Sequence, residues 1–227
     1  MSLSIHQKSK TVIIVAGGTG KRMQADIPKQ FIELKSKPIL MHTIEVFVKY
    51  NHHINIIVVL PENQMVVWKQ MCEEHNFNIV HQTIAGGATR FDSVKNGLEL
   101  APDEGLVAVH DGVRPLVSVQ TIHRCFEMAE RTGAAIPVTD IVESIRKVEE
   151  NDNEAVDRNL YKAVQTPQVF ETQILKAAYR QDYVPTFTDD ASVVEAFGHK
   201  ISIVEGNKEN IKITTPLDLE IGELFLD

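Results

Sequence analysis

The chain has 227 residues, 43% of them apolar and 24% charged, the balance of a globular protein with enough length to bury a sizeable core. Its net charge of −8 argues against a nucleic-acid or membrane-surface protein, because those partners require a broad basic face. No stretch is apolar over the length needed to span a bilayer.

The polar Ser2–Lys10 segment reads as a loosely held leader, and Thr11–Ala16 (TVIIVA) as a strand buried on both faces. A glycine-rich loop follows. The spacing of Leu40, Ile44, Phe47 and Val48 predicts a helix over Pro38–Tyr50, with Pro38 suited to its first turn. Ile54–Leu60 reads as a second buried strand, Glu62–His75 as a helix, Asn78–Gln82 as a short third strand and Asp92–Leu100 as a helix. Leu106–His110 is a fourth strand candidate, followed by a helix over Val119–Thr132 and a strand-like Ala134–Val138. The rhythm then breaks. Asp140–Gln165 carries charges of both signs with little that could form a core, so it reads as an excursion, either a hairpin arm or a mobile loop. A helix over Thr172–Arg180, a segment Asp189–Phe197, a strand Lys200–Glu205 and a helix Pro216–Leu226 complete the chain. Alternating strands and helices imply one α/β domain over residues 1–227, with a mostly parallel sheet and ligands bound beyond the carboxyl ends of its strands.

Three loops at such ends have unusual chemistry. Ala16-Gly17-Gly18-Thr19-Gly20-Lys21-Arg22 is neither a Walker loop nor a dinucleotide fingerprint. Its glycines allow either a tight turn or close approach of backbone amides to phosphate, and Arg22 and Lys29 add two cations beside those amides. Gly86-Gly87-Ala88-Thr89-Arg90 opens a helix and reads as a surface turn or a second ligand loop. In His110-Asp111-Gly112-Val113-Arg114, Asp111 could hold Mg²⁺ through one carboxylate or pair with Arg114. The two cysteines, Cys72 and Cys125, sit in helix-like patterns and read as buried free thiols suited to a reducing cytoplasm. The nine histidines show no zinc-type spacing, so a metal here points to magnesium on carboxylates and phosphates.

Taken in order, AGGTGKRM…PKQF, GGATRFDSV, VHDGVRP, LYKAVQTPQVF, TDDASVVE and EGNKENIKITTPLDL resemble the 2-C-methyl-D-erythritol 4-phosphate cytidylyltransferases, from about Thr11 to the C-terminus. The resemblance implies a Rossmann-like, GT-A-like nucleotidyltransferase fold with a protruding dimerisation arm. It implies transfer of CMP from CTP to 2-C-methyl-D-erythritol 4-phosphate with release of pyrophosphate, in the non-mevalonate route to isoprenoids. Mg²⁺, a cytoplasmic location and a homodimer that exchanges its arms are implied with it. A ribitol 5-phosphate cytidylyltransferase, with the same fold and nucleotide, is the nearest rival.

The family's roles map onto matching positions. Ala16, Gly17, Gly18 and Gly20 match the loop that cradles CTP, and Arg22 and Lys29 match the pair that stabilises the transition state. Gly87, Arg90 and Ser93 match cytosine and ribose contacts. Asp111 matches the acidic residue near metal and substrate, and Arg114 the substrate contact beside it. Arg158 matches the arginine that the arm offers to the neighbouring subunit's substrate phosphate, while Thr188 and Lys212 match further substrate-side residues. Two positions depart from the pattern. Ile141 follows Asp140 where the family often has threonine, which leaves Ser144 as the nearest hydroxyl for that contact. Tyr161 stands before the QTPQ segment where tryptophan is usual, a change that concerns packing.

Overall fold

The computed structural model describes residues 8–18, 27–150 and 152–226. Its centre is an eight-stranded sheet of β1 (Lys10–Val15), β4 (Asn55–Leu60), β5 (Gln82–Ala85), β6 (Leu106–Asp111), β7 (Ala134–Asp140), β10 (Lys162–Val164), β11 (Gln168–Glu171) and β12 (Ser202–Glu205). β1 is central, parallel to both β4 and β6, and β5 extends the parallel run beyond β4. Two short strands, β2 (Glu33–Leu34) and β3 (Lys37–Pro38), pair separately.

Consecutive side chains of β1 enter opposite cores, as the pleat requires. Val12 and Ile14 join a cluster with residues of α1 (Ile39–Tyr50), Trp68 of α2 (Met65–Glu74), and α4 (Val119–Thr132). Ile13 joins the cluster on the other face, with α3 (Arg90–Leu100), α5 (Thr172–Ala178) and α6 (Asp190–Ala196). Helices on both faces leave β1 and β4 buried on both sides, which explains why TVIIV and IIVVL are almost wholly apolar runs. The helix α7 (Pro216–Phe225) packs near β2, placing Gly222 against Leu34 and Ile213. Among the described residues no helix is long and apolar enough to cross a membrane.

The expected α/β architecture with a mostly parallel sheet is present, with local differences. The third strand is Gln82–Ala85, not Asn78–Gln82. Val80 is 91% exposed, whereas Gln82–Ala85 aligns with Ile57–Leu60; cross-strand pairing rather than β-branched content decides the boundary. The helix expected from Glu62 opens with a separate 3₁₀ turn, Glu62–Gln64, and α2 itself starts at Met65. Pro38 precedes α1 instead of entering its first turn. α3 begins two residues early because Thr89 and Asp92 form a reciprocal capping box.

The unanticipated element is β11, which inserts antiparallel between β6 and β7. β12 takes one edge of β7 over Ala135–Val138, so β10 and β11 share the other edge, with Gln165–Pro167 between them. The Asp140–Gln165 excursion leaves from β7 and returns through β10. It contains a hairpin of β8 (Arg146–Glu149) and β9 (Asp152–Ala155), which pair with each other and are exposed throughout. The excursion is therefore a hairpin arm.

Candidate active site

The carboxyl ends of β1, β5 and β6 meet around one cleft, with the chain after β1 on one side and the α3 entry on another. Ala16, Gly17 and Gly18 form part of its wall, and Lys29 lies across Gly18. A methyl group at Gly18 would stand 2.8 Å from Lys29 Cε, so the lysine stem needs the missing side chain. Lys29 is placed by a short 3₁₀ turn, Lys29–Phe31, whose Phe31 is anchored in the core. Gly20 and Arg22, both candidate site residues, lie outside the described residues.

The second loop turns tightly back on α3. A methyl group at Gly87 would collide with Asp92 Cβ at 2.2 Å. Ser93 holds this turn closed: its Oγ accepts from the Gly87 N–H at 3.1 Å and donates to the Thr89 carbonyl at 2.9 Å. Ser93 lines the cleft, yet these two bonds make it an organiser of the loop as well. Arg90 also lines the cleft, and its guanidinium forms a two-point ion pair with buried Asp190, at 3.0 and 2.6 Å.

Asp111 stands at the last position of β6, 7% exposed. Its Oδ2 accepts from Arg114 Nε at 3.0 Å and pairs with Lys212 Nζ at 3.1 Å. Burial opposes ionisation of this carboxyl, but Lys212, Arg90 and Arg114 together outweigh it and hold Asp111 well below the usual carboxylate range. The ion pair with Arg114 is present, and the cations around Asp111 keep an ionised carboxylate at the cleft. Among the described residues no group of three or more histidine, cysteine, aspartate or glutamate side chains could cage a metal. Asp111 is the one carboxylate among the described residues that line the first cleft, and a single carboxylate fits magnesium, which takes most of its ligands from water and substrate phosphates.

A second cleft adjoins the first. Arg114, Thr188 and Gln168 line it, and Arg90, Asp111 and Lys212 line both. The wall they share carries three cationic or anionic side chains whose charges act on one another. Ser144 and Arg158, in contrast, are exposed on the arm and line neither cleft of this chain; the Arg158 guanidinium donates to the Val142 carbonyl.

Beneath the shared wall lies a polar chain that the sequence does not reveal. The Asp111 N–H donates to Thr166 Oγ1 at 3.1 Å, and Thr166 Oγ1 lies 3.0 Å from His110 Nδ1. The His110 Nε2 faces the Arg114 carbonyl at 3.0 Å, and a carbonyl can only accept. The proton of the imidazole is therefore on Nε2, and Thr166 donates to Nδ1. Arg114 Nη1 donates to the Asn210 carbonyl at 2.7 Å, and Asn210 Nδ2 donates to the Thr166 carbonyl at 2.8 Å. Gln30 is a further buried polar residue at the first cleft. Its amide donates to Gln64 at 2.5 Å, and its Oε1 has no hydrogen-bond partner among the described residues. The PKQ and QTPQ motifs contain Gln30 and Thr166, but neither is a charged or nucleophilic side chain of the kind that marks a site.

A family model described as 2-C-methyl-D-erythritol 4-phosphate cytidylyltransferase matches residues 10–227. A protein of that name from Bacteroides thetaiotaomicron is 57% identical over 217 residues, covering 96% of this chain and 99% of its own. One from Porphyromonas gingivalis is 49% identical, covering 97% and 99%. Among solved structures, 4-diphosphocytidyl-2C-methyl-D-erythritol synthase from Anaerococcus prevotii superposes with a TM-score of 0.82 at 26% identity, over 96% of each chain. The Francisella tularensis 2-C-methyl-D-erythritol 4-phosphate cytidylyltransferase gives a TM-score of 0.81 at 33% identity, covering 96% of this chain and all of its own.

The buried polar chain makes a prediction. Burial pushes the His110 pKa down from 6.5 to about 4, more than the Arg114 carbonyl and Asp111 raise it. Between pH 6.5 and about 4 the unfolded chain takes up a proton at this histidine that the folded protein does not, so the stability present above that window is lost as pH falls through it, on the order of 3 kcal/mol in all. Nitrogen NMR of the folded protein at about pH 5.5, near the ordinary titration range, should find Nε2 protonated and Nδ1 bare. A His110 that titrates near 6.5 would refute this sealed, neutral arrangement.

Proposed function

The chain belongs to the 2-C-methyl-D-erythritol 4-phosphate cytidylyltransferase family, and we propose that its two adjoining clefts hold the two reactants of that activity. It transfers CMP from CTP to 2-C-methyl-D-erythritol 4-phosphate, giving 4-diphosphocytidyl-2-C-methyl-D-erythritol and pyrophosphate. The names of its relatives favour this substrate over ribitol 5-phosphate. The observation that carries the two-cleft reading is the wall of Arg90, Asp111 and Lys212 common to both.

In this reading the triphosphate lies along Ala16–Gly18, beneath Lys29, with the base and ribose towards Gly87, Arg90 and Ser93. The monoester phosphate lies across the shared wall near Lys212, Arg114 and Thr188. One of its oxygens attacks the α-phosphorus in line. The new phosphorus–oxygen bond forms as the bond to the bridging oxygen breaks, and pyrophosphate leaves with that electron pair. The nucleophile is already ionised at neutral pH, so the step needs no general base, which suits a histidine sealed in its neutral form. The main demand is to hold two anions together and to stabilise added charge. Asp111 and the triphosphate would hold Mg²⁺, which would supply charge neutralisation at the phosphate oxygens.

We also assign the arm to a partner subunit in a cytoplasmic homodimer. Val148 and Leu160 are 75% and 80% exposed, and a second copy would cover such apolar residues. Arg158 would then reach the partner's monoester phosphate, with Ser144 near the same substrate.

Pyrophosphate release from CTP tests the substrate. The erythritol phosphate should be used with kcat/KM at least about 10²-fold above that for ribitol 5-phosphate, the discrimination that well-placed polar contacts provide. Preference for ribitol 5-phosphate would overturn the assignment. The arm is tested by mixing Arg158→Ala with Lys29→Ala chains, each nearly inactive alone. After random exchange, about a quarter of wild-type activity should return, because half the dimers are mixed and one site in each keeps both residues. No recovery despite confirmed exchange would exclude action in trans.

A further inference from the structure

Asp190 is the first residue of α6, and its side chain is fully buried. A buried carboxylate is costly unless its lone pairs are met by donors of good geometry, and here they are. Oδ2 accepts from Arg90 Nη2 at 2.6 Å, while Oδ1 accepts from Arg90 Nη1 at 3.0 Å and from the Tyr179 hydroxyl at 2.6 Å. Burial and the neighbouring Asp190 charge keep Tyr179 protonated, so it acts as the donor. Tyr179 is itself held by stacking on Phe91, with ring centroids 4.6 Å apart. The residue after Arg90 thus anchors the ring that braces the partner of Arg90.

A fork-to-fork pair sets the plane of a guanidinium as well as its position. Two of the five N–H groups of Arg90 go to Asp190, and its side chain remains 32% exposed where the two clefts meet. Fastening α3 to the α5–α6 region does not need a charge, because Phe91, Tyr179 and Phe187 already stack across it. An apolar contact there would stabilise the fold at least as well as an ion pair. What the pair adds is a guanidinium of defined orientation, whose charge also helps keep Asp111 ionised.

We propose that Asp190, braced by Tyr179, is a positioning residue for the reaction: it fixes the Arg90 guanidinium at the wall shared by the two clefts. The proposal rests on the reading that Arg90 serves the nucleotide. Asp190 touches neither reactant and acts only through Arg90.

The test is kcat/KM for CTP in Asp190→Asn, Tyr179→Phe and Arg90→Gln, and in each of the first two combined with Arg90→Gln, with urea unfolding of every variant. Asp190→Asn should lower kcat/KM on the order of tenfold, the effect of losing a charge-assisted hydrogen bond. Tyr179→Phe should lower it less. Neither should lower it further once Arg90 is Gln, since nothing is left to position. Losses that multiply in the double variants would mean that Asp190 only staples the fold, and the proposal would fail. It would fail alone if Arg90→Gln were impaired while Asp190→Asn and Tyr179→Phe behaved as wild type. An Arg90→Gln enzyme with unchanged kcat/KM would instead remove Arg90 from the nucleotide site and the proposal with it. If Asp190→Asn does not fold, Tyr179→Phe and its double variant decide the outcome, because that change leaves the ion pair in place.

Discussion

The site depends on a carboxylate kept ionised where burial alone would neutralise it. Asp111 ends the strand beside β1, and Arg114 and Lys212 both approach its Oδ2. Arg114 comes from the turn just after β6, whereas Lys212 comes from the far end of the chain. A single charge thus draws the segment after β12 back onto the sheet. The Asn210 carbonyl, which accepts from Arg114, and the Asn210 amide, which donates to Thr166, fix the same segment. Were Asp111 protonated, two cations would lose their common partner, and in a low-dielectric cleft this would be a large loss.

Burial first, and the cations around Asp111 to a smaller degree, account for the state of the neighbouring imidazole. His110 lies between a hydroxyl that donates to it and a carbonyl that accepts from it, so its neutral form satisfies every partner. A protonated His110 would bring another positive charge beside Arg114 and Lys212, and would leave the Thr166 hydroxyl without its acceptor. The neutral tautomer is a consequence of the geometry. Cation density at the cleft therefore comes from lysine and arginine side chains and not from His110, which suits the binding of two phosphate-bearing reactants.

Much of this was legible in the sequence because the main parallel strands and their helices follow local rules. β1, β4 and β6 are short apolar runs, α4 keeps its bounds to the residue, and the three loops rich in glycine and charge follow strands as expected. β11 was missed because Gln168–Glu171 is a brief segment whose strand state depends on β6 and β7, far away in sequence. The position of β5 was misjudged for the same reason. At the site, cationic and glycine positions stood out, and Ala16, Lys29, Arg90, Asp111 and Lys212 do line one cleft. The residues that hold them, Thr166, Asn210, Asp190 and Tyr179, carry ordinary side chains. Their roles arise from long-range contacts that no local pattern encodes.

The proposed meeting place of the two reactants is the wall of Arg90, Asp111 and Lys212. A crystal structure with a non-hydrolysable CTP analogue and 2-C-methyl-D-erythritol 4-phosphate bound together tests it most directly. The triphosphate should lie along Ala16–Gly18 under Lys29 and the monoester phosphate beside Lys212. Its nearest oxygen should lie about 3–3.5 Å from the α-phosphorus, in line with the leaving pyrophosphate, the separation of a near-attack geometry. A monoester phosphate bound away from that wall, or a triphosphate outside the cleft, would contradict it.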